Sequence, residues 1–127
     1  MKEEMKPGLK REDMRTVRPV DTAESMGSGD LPVYATPVLV AFLEYSSKEL
    51  LRDYLGENET TVGIRMNVSH MRASNIGRDI VSRVEIVSIE GKKITLKVEA
   101  YDGNMLIGTG EHERFIVDKT RFMNKLS

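Results

Sequence analysis

The apolar side chains of this chain change their spacing once, and that change limits the folds open to it. Between residues 36 and 55 they recur at helical spacing. Thr36 suits the N-cap position, Pro37 the first helical position and Gly56 the residue that ends a helix. We therefore expect one long helix, with its first half enclosed because that half is apolar nearly all round. Its periodic positions are Leu39, Leu43, Leu50, Leu51, Tyr54 and Leu55.

From residue 60 onward the spacing becomes two, which indicates strands. In "TTVGIRMNVSHMR", the residues Val62, Ile64, Met66 and Val68 fall on one strand face, and His70 ends that row. The short stretches "EGK" and "DGN" are typical of tight connections between antiparallel strands. A helix followed by a meander predicts an α+β fold in which the sheet covers the helix. The three further strand segments are "IVSRVEIVSI", "KITLKVEAY" and "MLIGTGEHERFIV".

With 127 residues the chain has the size of a single domain. Residues 1–13 are dense in charge and poor in apolar side chains, so we expect a flexible N-terminal tail there. Residues 14–127 then form the domain. Within it, "MRTVRPV" has modest strand character, and "DTAESMGSGDLP" is typical of a loop.

The composition argues against several classes of partner. Nineteen basic and twenty acidic residues give a net charge of -1, which provides no general attraction for nucleic acid or an anionic membrane. No apolar run approaches the roughly 20 residues that span a bilayer. The chain has no Cys, and its two histidines, His70 and His112, lack metal-ligand spacing. We expect a cytoplasmic protein without a bound metal.

Glu44 follows six consecutive apolar residues inside the expected helix. One interpretation is an exposed carboxylate that pairs with Lys48 four residues later, an arrangement worth only about 0.3–0.5 kcal/mol. The other is a partly desolvated carboxylate, which is a typical catalytic base or nucleophile. The residues alone do not decide between these two roles.

His70 and Thr36 each have a structural and a functional interpretation. His70 should point toward the helix, either as a satisfied structural His or as a partner of Glu44. Thr36 is a natural cap, but eight residues of helical rise put it about 12 Å from Glu44. If both act on one substrate, a site shared between two chains is a natural hypothesis.

Two residues outside the helix are candidates for substrate binding. Gly63 interrupts an otherwise good strand, which marks either a bulge or a close approach of a ligand. Arg114, in "GTGEHERF", is either a solvated charge or a ligand for a phosphate or carboxylate. The glycine pair in that stretch lacks the spacing and the following helix of a phosphate loop.

The order "YATPVLVAFLEYSS", "TTVGIRMNVSHMRASNIG" and "GTGEHERFIVD" resembles the fluoroacetyl-CoA thioesterase type of hotdog-fold protein over roughly residues 32 to 122. The resemblance implies a hotdog fold and hydrolysis of a small acyl-CoA thioester without a cofactor. It also implies a homodimer, or a higher homo-oligomer, with active sites at the subunit interface. By position, it assigns catalysis to Thr36, Glu44 and His70, and substrate binding to Gly63 and Arg114.

The resemblance leaves the acyl group open. Members specific for fluoroacetyl-CoA carry Phe residues before the helix, whereas "AESMGSGDLP" has none.

A thioester carbonyl needs a donor for its developing oxyanion and a base or nucleophile, so Glu44 can attack directly or activate water. A non-catalytic acyl-CoA binding or sensing protein is the alternative function. An enoyl-CoA hydratase fits less well, because the chain has no "DxNPxH"-like stretch.

Overall fold

A computed structural model describes residues 4–126 and has the expected α+β architecture. One five-stranded antiparallel sheet packs against one long helix. In chain order the elements are β1 (Lys10–Thr16), α1 (Ala23–Met26), α2 (Thr36–Arg52), β2 (Glu59–His70), β3 (Asp79–Glu90), β4 (Lys93–Asp102), β5 (Met105–Asp118) and α3 (Lys119–Asn124). The strand order is β1-β3-β4-β5-β2, so β1 and β2 form the two edges.

Helix α2 supplies the centre of the hydrophobic core. Its buried residues include Leu39, Leu43 and Leu51, which pack with the buried side chains of β3 and β4. Ala35 occupies the N-cap position in place of Thr36, so the expected cap role of Thr36 is wrong. The helix also ends earlier than expected, because the amides of Tyr54 and Leu55 bond to carbonyls only three residues back.

The N-terminal segment is more ordered than its composition suggested. Strand β1 begins at Lys10 and pairs with β3, and the amide of Gly8 donates to the carbonyl of Ile86, so a tail ending at residue 13 is wrong. An edge strand is held by hydrogen bonds between backbone groups, which every residue type has, so the amino-acid composition does not predict the pairing. Charged side chains on β1 find partners nearby, as when Arg11 binds Asp13. Residues 1–3 lie outside the described residues.

Strand β2 contains a β-bulge that changes its facing pattern. Its register against β5 shifts between Gly63 and Arg65, which leaves Ile64 as the extra residue. Ile64 is 51% exposed, and Thr61 is buried instead of Val62. The expected facing of Val62 and Ile64 is therefore wrong. Beyond the bulge the expected facing is right, because Met66 and Val68 pack against the core.

The segment between β1 and α2 is not a plain loop. Pro19–Asp21 forms a short 3-10 helix and α1 follows it. A bridge joins Thr22 to Tyr34, and the amide of Ala35 donates to the carbonyl of Asp21. These contacts hold the segment across the N-terminal end of α2.

The glycine pair in β5 is explained by close packing. A Cβ on Gly110 would overlap the backbone carbonyl oxygen of Asn67 on β2. A Cβ on Gly108 would lie 3.1 Å from Cδ2 of Leu39, the end of a flexible side chain. Neither glycine has a positive φ, so space decides these positions.

Replacing Gly110 by Ala should cost far more stability than replacing Gly108 by Ala. Backbone cannot yield without breaking the β2–β5 pairing, whereas the Leu39 side chain can shift. We expect Gly110→Ala to lower the free energy of unfolding by about 3 kcal/mol or more, and Gly108→Ala by about 1 kcal/mol. Urea denaturation measures both values, and equal losses would contradict this explanation.

Candidate functional site

The first cluster of candidate residues lies at the N-terminal end of α2. The Thr36 hydroxyl oxygen is 2.7 Å from Nδ1 of His70, at the end of β2. The Tyr34 ring meets the His70 ring edge-on, with centroids 6.3 Å apart. Among residues 4–126 the buried Nε2 of His70 has no hydrogen-bond partner. Burial lowers the pKa of His70 below its ordinary 6.5, so the ring is neutral at pH 7.

A cavity opens beside this first cluster. It has a volume of about 270 Å³, and its lining includes Tyr34, Thr36, His70 and Arg72. Thr36 is the first residue of α2 rather than its cap, and its hydroxyl contacts His70 instead of the backbone of the first turn. A neutral imidazole held by a hydroxyl group can accept a proton at a bound substrate and then pass it on.

The second cluster surrounds Gly63 on β2. An ideal Cβ on this glycine would lie 3.0 Å from Oε2 of Glu44, 3.2 Å from Cε1 of His112 and 3.3 Å from Nη1 of Arg114. The space that the missing side chain leaves is therefore occupied by functional groups from α2 and β5. Glu44 is half-buried at this point, as the apolar run before it suggested.

Arg114 is a buried cation, only 6% exposed, with a defined set of acceptors. Its Nε donates to the Thr61 hydroxyl at 2.8 Å, and its Nη2 donates to the Thr61 carbonyl at 2.9 Å. Burial lowers the pKa of Arg114, and the negative charge of Glu44 opposes that effect. An arginine nevertheless stays protonated, so the cluster contains one buried cation beside one carboxylate.

His112 is the residue of this cluster that the sequence interpretation missed. Its Nδ1 is 2.8 Å from the carbonyl oxygen of Arg65, which can only accept, so Nδ1 carries the proton. The bare Nε2 accepts from Nη1 of Arg114 at 3.1 Å. Burial, and in addition the charge of Arg114, lowers the pKa of His112. The available signal was its spacing of two from Arg114, which puts both side chains on one strand face.

Within one chain the two clusters stay apart. The structure brings Thr36 to His70, and it brings Glu44 to Gly63 and Arg114. Thr36 and Glu44 are separated by about 12 Å of helical rise. Gly63 and His70 are separated by roughly 20 Å of strand. Of the three residues that the resemblance assigns to catalysis, Thr36 and His70 therefore lie in one cluster of the chain and Glu44 lies in the other.

Two further properties concern the described residues as a whole. Among residues 4–126, no three or more His, Asp or Glu side chains form a group that could hold a metal ion. None of the helices in the same range combines the length and the apolar character that crossing a membrane requires.

Comparison with known proteins identifies the family. The model of the fluoroacetyl-CoA-specific thioesterase family matches residues 17–120, a range that contains both clusters. The chain belongs to this family. The fluoroacetyl-CoA thioesterase of Streptantibioticus cattleyicolor is 31% identical over 94 residues, which cover 74% of this chain and 68% of that protein.

Solved structures agree with this family and its fold. A structure of the fluoroacetyl-CoA thioesterase FlK is 27% identical, has a TM-score of 0.92, and matches over 98% of this chain and 96% of that one. A hot-dog-like protein from Thermanaerovibrio acidaminovorans, 24% identical with a TM-score of 0.87, matches over 94% of this chain and 89% of that one and supports the fold alone. The hotdog fold predicted from the sequence is confirmed.

Replacing Gly63 by Ala should separate activity from stability. The added Cβ would press on Glu44, His112 and Arg114 together, while the backbone at Gly63 has no positive φ and tolerates Ala. We expect thioester hydrolysis to fall about tenfold or more, because small misplacements at a reacting centre are costly. We expect the melting temperature to change by only a few degrees. Loss of both in parallel would mean that Gly63 matters for folding alone.

The neutral state of His112 should appear in the pH dependence of stability. A lowered folded pKa gives a contribution that is present above the unfolded value near 6.5 and is lost as pH falls through the folded value. We therefore expect the melting temperature to drop below pH 6.5. His112→Gln keeps an acceptor for Arg114 and should flatten this drop, with a remainder from His70, whose pKa is also lowered.

His112→Leu is the matched comparison for His112→Gln. It removes the acceptor and leaves a buried N–H of Arg114 unpaired, which costs about 1–3 kcal/mol. If Gln and Leu variants have the same melting temperature and the same pH profile, His112 does not hold Arg114.

Proposed function

We propose that the chain hydrolyses small acyl-CoA thioesters to the free acid and CoA. The observation that carries this proposal is the position of Glu44 over Gly63 and beside the buried Arg114. The missing side chain of Gly63 lets the half-buried carboxylate of Glu44 and the guanidinium of Arg114 approach each other at the strand, which forms a charged centre beside the apolar first half of the helix. Membership of the fluoroacetyl-CoA-specific thioesterase family supports the same reaction.

The chemistry follows from the reactivity of a thioester. Its carbonyl is electrophilic, so hydrolysis needs a base or nucleophile and a donor for the oxyanion. In our proposal Glu44 attacks the carbonyl carbon or activates the water that does so. The C–S bond then breaks, and the neutral ring of His70, held by Thr36, takes a proton from the attacking water and passes it to the leaving CoA thiolate. Gly63 and Arg114 bind the substrate, and water supplies the oxygen of the product acid.

The active site is proposed to form between two chains. Within one chain the Thr36–His70 pair and Glu44 lie too far apart to act on one carbonyl. Strand β2 is an edge of the sheet, and Ile64 on it is 51% exposed, so this edge is available to a second copy. A two-fold dimer would bring Glu44 of each chain to His70 of the other.

Release of free CoA from a panel of acyl-CoAs tests the activity. We expect Glu44→Gln and His70→Asn each to lower kcat/KM about 100-fold or more, as is typical of lost acid–base groups. Glu49→Gln is the matched control, because Glu49 lies on the same helix but bonds to Arg52. Binding of acyl-CoA without turnover would instead favour the binding or sensing function. Full activity in both site variants would reject the assigned residues.

Mixing the two inactive variants tests the shared site. If Glu44 and His70 act across the interface, each mixed dimer contains one intact site, and random exchange should restore about a quarter of the activity. Different affinity tags on the two variants, with purification over both tags, confirm that mixed dimers form. No recovery in confirmed mixed dimers would place both residues of one site in the same chain.

The cytoplasmic location expected from the sequence stays a prediction.

A further inference from the structure

A second cavity lies on the other side of helix α2 from Glu44. It has a volume of about 370 Å³, between the end of β1 and the first half of the helix. Phe42 lines it, and because Phe42 and Glu44 are two residues apart, their side chains leave the helix in nearly opposite directions. Val38 and Tyr34 complete an apolar wall. The proposed mechanism uses none of these cavity-lining side chains.

Arg15 places a cation in this cavity that forms no direct ion pair within the described residues. Its guanidinium lies 4.7 Å from the centre of the Phe42 ring and 4.4 Å from that of the Tyr45 ring. Within the described part of the chain, no carboxylate is within ion-pairing distance of Arg15. Arg18 differs, because its Nε and Nη2 each bond to the Asp21 carboxylate at 3.0 Å. Asp21 lines the same cavity, and the charge of Arg15 lowers its pKa after the larger effect of Arg18, but the hydrogen bonds of this carboxylate go to Arg18.

The geometry of Arg15 suits the recognition of a carboxylate. The guanidinium lies over the two aromatic rings, which is the cation–π arrangement. Its N–H groups stay available, and they match the two oxygens of a carboxylate in a bidentate pair. Holding the group in place beforehand lowers the conformational cost of binding.

Tyr34 is shared by this cavity and the cavity beside the Thr36–His70 pair. Its side chain lines both the Arg15 cavity and the cavity beside His70. Phe42 is six residues after Thr36, so the Arg15 end lies about 9 Å further along the helix axis. A group that reacts near His70 would have to pass Tyr34 to reach Arg15, along the wall formed by Val38 and Phe42.

We propose that this cavity binds the distal end of an acyl chain that carries a carboxylate, and that Arg15 pairs with it. The substrate class is then the CoA thioester of a short dicarboxylic acid. This inference rests on the proposed thioesterase function and adds its specificity. A phosphate of CoA has related chemistry, but Val38 and Phe42 favour a chain of methylene groups at this position.

The test compares acyl-CoAs of matched length with and without the terminal carboxylate. Glutaryl-CoA is measured against valeryl-CoA and adipyl-CoA against hexanoyl-CoA, each corrected for hydrolysis without enzyme. We expect a higher kcat/KM for the dicarboxylic member of at least one pair. Arg15→Met, which keeps contact with the rings, should lower that ratio about tenfold, as expected for a lost charged hydrogen bond. Arg15→Lys should give an intermediate ratio.

Arg83→Met is the matched control. Arg83 also lies over an aromatic ring, 4.6 Å from the centre of Tyr101, but it pairs with Glu12 away from the cavity. We expect it to leave both the rates and the ratio unchanged. Any change in rate in this variant measures the general effect of removing an arginine that stacks on an aromatic ring away from the cavity.

The remaining outcomes distinguish this inference from the proposed function. Hydrolysis of the neutral acyl-CoAs without a dicarboxylic preference would overturn the inference and leave the thioesterase intact. Equal loss on both members of each pair in Arg15→Met would assign Arg15 to a CoA phosphate and would also overturn it. No turnover of any acyl-CoA would reject the proposed function, and the inference with it.

Discussion

The packing of helix α2 against the sheet is the constraint on which the rest of the structure depends. The buried leucines on one side of α2 fix its rotation, and that rotation decides where every other side chain of the helix points. Glu44 then faces β2 and β5, whereas Phe42 faces β1. A change in the helix rotation would move the carboxylate and the aromatic wall together, because both directions derive from one buried face.

Burial of Arg114 imposes a second condition. A buried cation is costly unless its donors are satisfied, and here Thr61 and His112 satisfy them. His112 can accept only while Nε2 is unprotonated, and the Arg65 carbonyl keeps the proton on Nδ1. That carbonyl belongs to the residue after the bulge in β2. The bulge in β2 thus positions the carbonyl that fixes the tautomer of His112. That tautomer lets His112 accept from Arg114, which lies beside Glu44.

The sequence predicted those parts of the structure that depend on periodicity. The long helix, the four strands after it and the direction of His70 follow from spacings of 3.6 and two. Strand β1 was predicted only in part, because "MRTVRPV" covers its last three residues while its start lies in the expected tail. An edge strand is held by backbone bonds, which leave little trace in composition. The predicted direction of the Ile64 side chain was wrong, because a bulge adds one residue and so reverses the alternation of side chains along the strand. The position of the bulge depends on the pairing of β2 with β5. His112 was not recognised because its role requires knowing which strand lies beside it.

Thr36 shows how a local exception at a helix start frees a side chain for another contact. A threonine before a helical proline ordinarily caps the helix, and a lost cap costs about 0.5–2 kcal/mol. Here Ala35 takes the N-cap position, its carbonyl accepts the first helical bonds, and its amide is held by the carbonyl of Asp21. Pro37 has no amide to satisfy. The helix start therefore needs less from a side chain, and the Thr36 hydroxyl is left to contact Nδ1 of the partly buried His70. The segment before the helix thus supports the site indirectly, by replacing with backbone contacts what the threonine would otherwise have supplied.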